Sequence, residues 1–138
     1  MLVLFVCVHN TGRSQMAEAF FNRLAREGGM DVRAESAGTL GAGALNPTVV
    51  EAMAELGISM KGQKPKALTS EMVRRATKVV SMGCGVDTGA CPTRFVLTDD
   101  WALADPAGQP IEQVREIRYE IERRVKRLFA EISSGIPT

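Results

Sequence analysis

The sequence predicts a single-domain α/β protein, a three-layer α/β/α arrangement around a four-stranded parallel sheet. Three observations lead there. The apolar run Leu2-Val3-Leu4-Phe5-Val6 passes through a short loop, Cys7 to Ser14, directly into a helical pattern, which is the order of a strand, a tight turn and a helix N-terminus. Short apolar runs then alternate with helical periods, and that alternation implies parallel strands with helices on both faces. Finally, 138 residues suffice for one core, burying about two thirds of the unfolded surface.

The elements follow in order. After the first strand, Ala17, Phe20, Phe21 and Leu24 recur at helical spacing while Gln15, Glu18, Asn22 and Arg23 fall on other faces, and Gly28-Gly29 supplies the stop. Val32 to Gly38 alternates in part and reads as the second strand, followed by the loose stretch Gly41-Ala42-Gly43-Ala44. Asn46 is a good N-cap with Pro47 at the first helical position, and Val49, Val50, Met53 and Leu56 give that helix an inward face closed by Gly57. A further helix starts near Thr69 or Ser70, with Glu71 in its first turn, and ends before a third strand at Lys78 to Met82. Arg94 to Leu97 reads as the last strand. From Ile111, the positions Val114, Ile117, Ile121, Val125, Leu128 and Ile132 mark a long amphipathic helix, with Arg115, Arg118, Glu122 and Lys126 on a solvated side.

Composition excludes several classes. A net charge of +1 with 24% charged residues gives no global pull toward nucleic acid or a membrane surface. The apolar start lacks a basic leader and is too short to span a bilayer, so the expectation is a cytoplasmic protein without a signal peptide, and a monomer. Three cysteines in a reducing compartment point to catalytic, redox or metal roles instead of structural bridges.

The loop Cys7-Val8-His9-Asn10-Thr11-Gly12-Arg13-Ser14 carries the chemistry. A strand that turns through it into a helix aims the backbone N–H groups of Val8 to Gly12, and the positive end of the helix dipole, into one concavity suited to a tetrahedral oxyanion. A nucleotide-binding loop would end in Gly-Lys-Ser/Thr, whereas this one begins with a thiol and ends in Arg-Ser. The Arg13 fork can hold two oxyanion oxygens. The positive field, with Ser14 donating to sulfur, favours Cys7 as a thiolate nucleophile. A merely buried strand-end cysteine would leave Gly12, Arg13 and Ser14 unexplained.

Two further stretches stand at the same carboxyl edge of the sheet, where ligands of such folds bind. Cys84 and Cys91 are separated by six residues after the third strand; a disulfide, half of a zinc site with the distant His9, or two inert thiols are all compatible with that spacing. Asp105-Pro106, taken by itself, reads as a plain turn.

Taken together, Cys7 to Ser14, Ser36-Ala37-Gly38, Asn46-Pro47, the Cys84/Cys91 pair and Asp105-Pro106 resemble the low-molecular-weight protein tyrosine phosphatase superfamily, and within it the thioredoxin-linked arsenate reductases. The resemblance covers nearly the whole chain and implies a cytoplasmic oxidoreductase of arsenical resistance. Cys7 would attack arsenate held by the amides of Val8, His9, Asn10, Thr11 and Gly12 and by Arg13, with Ser14 assisting and Asp105 as acid, a role that calls for an apolar, partly closed surrounding. Cys84 would then attack Cys7, releasing arsenite, and Cys91 would attack Cys84, leaving a redox-active disulfide for thioredoxin. Mycothiol, or glutaredoxin with glutathione, are other donors the resemblance allows; no bound cofactor and no resident metal are implied. Asn10, Glu18 and Ser36 would support the loop. Some members bind potassium there with a later acidic residue, but here that region, Lys61 to Lys66, is basic, so an ammonium from Lys64 or Lys66 is expected beside Glu18. Two other readings stay open: a low-molecular-weight phosphatase hydrolysing phosphomonoesters through a Cys7 phosphoenzyme, and an oxyanion-binding module without turnover.

Overall fold

The computed structural model of the chain describes residues 1–82 and 99–134. In chain order its elements are β1 (Leu2–Cys7), α1 (Arg13–Gly28), β2 (Arg33–Gly38), α2 (Pro47–Ala54), α3 (Ser70–Arg75), β3 (Lys78–Ser81), β4 (Asp99–Asp100) and α4 (Ile111–Ser133). The sheet order is β2-β1-β3-β4 and every pairing is parallel. Three strands of four to six residues carry the sheet, and β4 adds only two residues. The strand expected at Arg94 to Leu97 lies outside the described residues.

β1 is flanked on both sides by parallel neighbours and covered on both faces, so its near-continuous apolar run is what a central parallel strand requires. Its alternate side chains serve different layers. Val3, Phe5 and Cys7 face a large core with Phe21 of α1, Met53 of α2 and Ile121 of α4, whereas Leu4 and Val6 face a smaller one with Leu68 and Val79, against which Met72 and Val73 of α3 pack. The α/β/α layering expected from the alternation is therefore present, with most helical mass on one side. Among the described residues, no helix is long and apolar enough to cross a membrane.

Helix ends follow local chemistry. Gly29 closes α1 with φ 63°, and its N–H reaches Ala25 and Arg26 carbonyls, the left-handed stop that glycine permits. Asn46 and Thr69 each accept a first-turn N–H, from Thr48 and Met72. The second helix is shorter than its apolar pattern, ending at Ala54 before Leu56.

Arg118 departs from the solvated face expected of it: the side chain is 2% exposed. It crosses from α4 to α2, where Nη1 donates to the Ala52 carbonyl at 2.6 Å and to Glu55 Oε1 at 2.8 Å, while the guanidinium lies 4.4 Å from the Tyr119 ring. Arg115 Nη2 adds a 2.6 Å contact to Glu55 Oε2. The hydrogen bonds from Arg115 first, then Arg118, hold the Glu55 carboxyl down at about 2. A carboxylate depressed in the folded state contributes stability above its unfolded pKa of 4.5 and loses it as pH falls toward about 2. Glu55→Gln is accordingly expected to lower the melting temperature at pH 7, and the gap to the wild type should close between pH 4.5 and about 2 in thermal melts across that window.

Candidate active site

The loop expected to cradle an oxyanion runs from the buried end of β1 into α1, whose N-cap, Gly12, offers no side-chain acceptor. The first-turn N–H groups of α1 are thus left for an anion in the concavity. Asn10 adopts φ 58°, the one non-glycine left-handed residue among those described, a conformation asparagine tolerates better than most residues. That twist aims its N–H at the Cys7 sulfur, 3.1 Å away.

The hydrogen-bond chain behind Cys7 fixes its own polarity. The Lys66 backbone N–H donates to Asn10 Oδ1 at 2.9 Å, so the Asn10 side chain must present its Nδ2 to the Ser14 hydroxyl, 2.7 Å away. With its oxygen accepting that bond, Ser14 has its proton left for the Cys7 sulfur at 2.8 Å. Two donors therefore converge on the sulfur of a cysteine that is 2% exposed.

Arg13 is almost fully buried; Nη1 donates to the Leu103 carbonyl at 3.1 Å and Nη2 stands 3.7 Å from Asp105 Oδ2. Cys7 thus lies against Ser14, and Arg13 against Asp105. Asp105 differs in its surroundings. Its side chain is 51% exposed, and Oδ1 accepts the Ala107 N–H at 3.0 Å, so among the described residues no closed apolar pocket surrounds it. The reason is local: an aspartate before proline closes an Asx-type turn on itself, and that turn projects the carboxylate from the surface toward Arg13. Pro106 seats the turn against the loop, since a Cβ on Gly12 would stand 2.9 Å from Pro106 Cγ.

Around the nest, Val8, His9 and Thr11 are at least partly exposed while Asn10 and Gly12 are buried. Gly38 explains part of the loop's shape: a Cβ there would meet the Val8 carbonyl oxygen at 2.5 Å and the Asn10 nitrogen at 2.9 Å, so only glycine lets the end of β2 approach this closely. Asn46 does more than cap α2. Its N–H donates to the Thr11 carbonyl at 2.9 Å and Nδ2 reaches the Pro106 carbonyl at 3.4 Å, joining the two loops.

Glu18 and Ser36 meet, Ser36 Oγ donating to Glu18 Oε1 at 2.9 Å. Lys66 supplies the ammonium beside them, with Nζ 3.7 Å from the same oxygen. Lys64 contributes its backbone carbonyl instead, accepting from Gln15 Nε2 at 2.9 Å. Gln15 is a correction: assigned to a face away from the core stripe, it is fully buried beneath the loop. It follows Ser14 in the first helical turn, where the side chain turns back toward the loop. Neither Gln15 nor its partner Gln63 carries a periodicity signal that marks it.

Trp101 is buried in the core with its ring 5.6 Å from that of Phe5, and Tyr119 lies on α4, so neither offers a free aromatic wall to a substrate. Cys84 and Cys91 lie outside the described residues. Among the described residues no three His, Cys, Asp or Glu side chains cluster as metal ligands.

Comparison with known proteins agrees with this geometry. The family model described as low molecular weight phosphotyrosine protein phosphatase matches residues 2–136. A glutaredoxin arsenate reductase of Synechocystis is 36% identical over 135 residues, spanning 95% of this chain and 98% of that protein. Among solved structures, the thioredoxin-dependent arsenate reductase of Corynebacterium glutamicum superposes with a TM-score of 0.74 at 35% identity, covering 97% of this chain and 62% of the other. A low molecular weight protein tyrosine phosphatase from T. tengcongensis superposes with a TM-score of 0.84 at 28% identity, covering 95% and 99%.

Proposed function

The chain belongs to the low molecular weight phosphotyrosine protein phosphatase family, and on that premise we propose that it reduces arsenate to arsenite through a relay of Cys7, Cys84 and Cys91. The observation that carries the first step is the Cys7 sulfur held by two donors, from Asn10 and Ser14, at the floor of an N–H-lined loop beside Arg13. Cys7 attacks arsenic while the loop amides and Arg13 neutralise the oxyanion, and Asp105 protonates the departing oxygen, which leaves as water. Cys84 then attacks the Cys7 sulfur. The sulfur–arsenic electron pair passes to arsenic, taking it from As(V) to As(III), and arsenite departs from a Cys7–Cys84 disulfide. Cys91 attacks Cys84, returning Cys7 as a thiol and leaving a Cys84–Cys91 disulfide for a dithiol donor.

Relatives named as arsenate reductases at 35–36% identity and the two extra cysteines favour this reading over ester hydrolysis. Phosphate would occupy the same nest, but a sulfur–phosphorus adduct does not accept two electrons from a second thiol, so the relay selects arsenate by redox chemistry. The phosphatase at 28% identity supports the second reading, hydrolysis of phosphomonoesters through a Cys7 phosphoenzyme, which needs neither Cys84 nor Cys91.

Thioredoxin is the proposed donor. The test measures NADPH consumption with arsenate, thioredoxin and thioredoxin reductase, with glutaredoxin plus glutathione and mycothiol as parallel arms, for wild type, Cys84→Ser and Cys91→Ser, beside a phosphate-ester assay. Arsenate-dependent turnover lost in both variants while ester hydrolysis persists supports the relay. Ester hydrolysis without arsenate turnover makes the protein a phosphatase, and faster turnover with another donor replaces thioredoxin.

We also propose that the Lys66 ammonium takes the place of a potassium ion beside Glu18 and Ser36. Its 3.7 Å distance from Glu18 supports this. Wild-type turnover is expected to be equal in potassium and sodium at fixed ionic strength, whereas Lys66→Met should become severalfold more active in potassium. A potassium-activated wild type would end this reading.

A further inference from the structure

We infer that Gln15 is a positioning residue whose buried amide ties the left-handed Asn10 peptide to the segment 63–66 and thereby holds the Asn10 N–H on the Cys7 sulfur. The inference rests on the reading of Cys7 as the nucleophile and adds a residue and a chain segment to it.

The geometry leaves the amide one orientation. Gln15 Nε2 faces three oxygens: Asn10 Oδ1 and the Lys64 carbonyl at 2.9 Å, and the Asn10 carbonyl at 3.2 Å. Two of these are backbone carbonyls that can only accept, so the nitrogen must be the atom turned toward them. Gln15 Oε1 in turn accepts from Gln63 Nε2 at 2.7 Å. The side chain is 0% exposed.

Asn10 is therefore gripped twice by one amide, at its side-chain oxygen and at its carbonyl. The carbonyl grip bears directly on the peptide's orientation, because it ties down the plane that follows the φ 58° rotation. The left-handed region crowds Cβ against the following carbonyl oxygen even for asparagine, so the loop holds that state only while its surroundings over-determine it. The Lys66 N–H shares Asn10 Oδ1 with Gln15. Any displacement of the segment 63–66 is thus transmitted to both donors on Cys7: to the Asn10 N–H through the backbone, and to the Ser14 hydroxyl through Asn10 Nδ2.

The test uses the full chain carrying Cys84→Ser and Cys91→Ser, which leaves Cys7 as the only thiol. Iodoacetamide, a neutral probe that does not depend on the anion nest, reports how readily the sulfur forms its carbon bond and expels iodide. At pH 6 the background protein should react faster than a cysteine peptide, and Gln15→Met, which keeps the volume but removes the amide, should react about tenfold more slowly than the background, the scale of one lost hydrogen bond to a charged acceptor. Gln63→Met, which frees the Gln15 amide without removing it, should show a smaller fall in the same direction and covers the case in which Gln15→Met does not fold. Circular dichroism melts separate the alternatives. A lower melting temperature with an unchanged alkylation rate in either folded variant makes Gln15 a structural residue only and overturns the inference. A background protein no faster than the peptide overturns the nucleophile reading and this inference with it.

Discussion

Cys7→Ser is expected to abolish turnover of arsenate and of phosphate esters alike, by about a thousandfold or more, while leaving oxyanion binding close to that of the wild type. A serine hydroxyl at this position remains protonated at neutral pH and is a far weaker nucleophile than a thiolate, so the covalent step fails. The binding groups are not touched, because the loop amides and Arg13 do not depend on sulfur. Inorganic phosphate binding by calorimetry, run beside both activity assays, reads the two halves separately. Activity surviving the substitution would remove Cys7 from the chemistry, and a wild type that binds phosphate with no turnover of either substrate would favour an oxyanion-binding module.

The second large effect is expected at Arg13→Lys, which keeps the charge but loses the planar fork. Arg13 reaches the Leu103 carbonyl with Nη1 and approaches Asp105 with Nη2, so its plane is already fixed before substrate arrives. A lysine ammonium can satisfy one of these partners but cannot present two parallel N–H groups to an oxyanion from the same anchored geometry. Loss of a preorganised donor to the developing charge lowers kcat by about a hundredfold to a thousandfold. Steady-state kinetics should show that fall in kcat more than in KM, since the fork is worth most to the trigonal-bipyramidal arrangement with its equatorial oxygens in one plane. Wild-type kcat in the Arg13→Lys protein would show that charge alone is what the site requires.

Much of the site can be read along the chain because its parts are consecutive. Cys7 to Ser14 is a local signal: five residues between a strand-end thiol and an Arg-Ser pair specify a turn whose backbone donors converge, and they do so whatever packs behind them. The layering could be read as well, since β1 is apolar throughout while α1 and α4 repeat at 3.6 residues, patterns that short-range sterics and solvent impose on any sheet covered by helices. Asn46-Pro47 and Gly29 set helix ends by the same local rules. The expectation of a lysine beside Glu18 came from the basic run Lys61 to Lys66, but sequence could not choose between Lys64 and Lys66.

Tertiary structure made that choice, and others like it, because they depend on which distant segments share a boundary. The isolated bridge between Gly38 and Ala67 brings the 63–66 segment alongside the loop, which turns the Lys66 ammonium toward Glu18 and gives Gln15 a carbonyl to hold. Arg118 and Gln15 are buried polar residues whose partners stand 63 and 48 positions away, so no window of sequence can distinguish them from solvated neighbours on the same helices. Asp105 is the converse case: its turn is local and predictable, yet its approach to Arg13 depends on contacts between distant segments, Arg13 with the Leu103 carbonyl and Asn46 with Thr11 and Pro106. The chain by itself determined the order of strands and helices and the strand–loop–helix turn that carries Cys7 and Arg13, through local hydrogen bonding and hydrophobic period. The alignment of the donors behind the sulfur was decided only by folding, because a buried amide acquires its meaning from the groups that the rest of the chain brings to 2.9 Å from it.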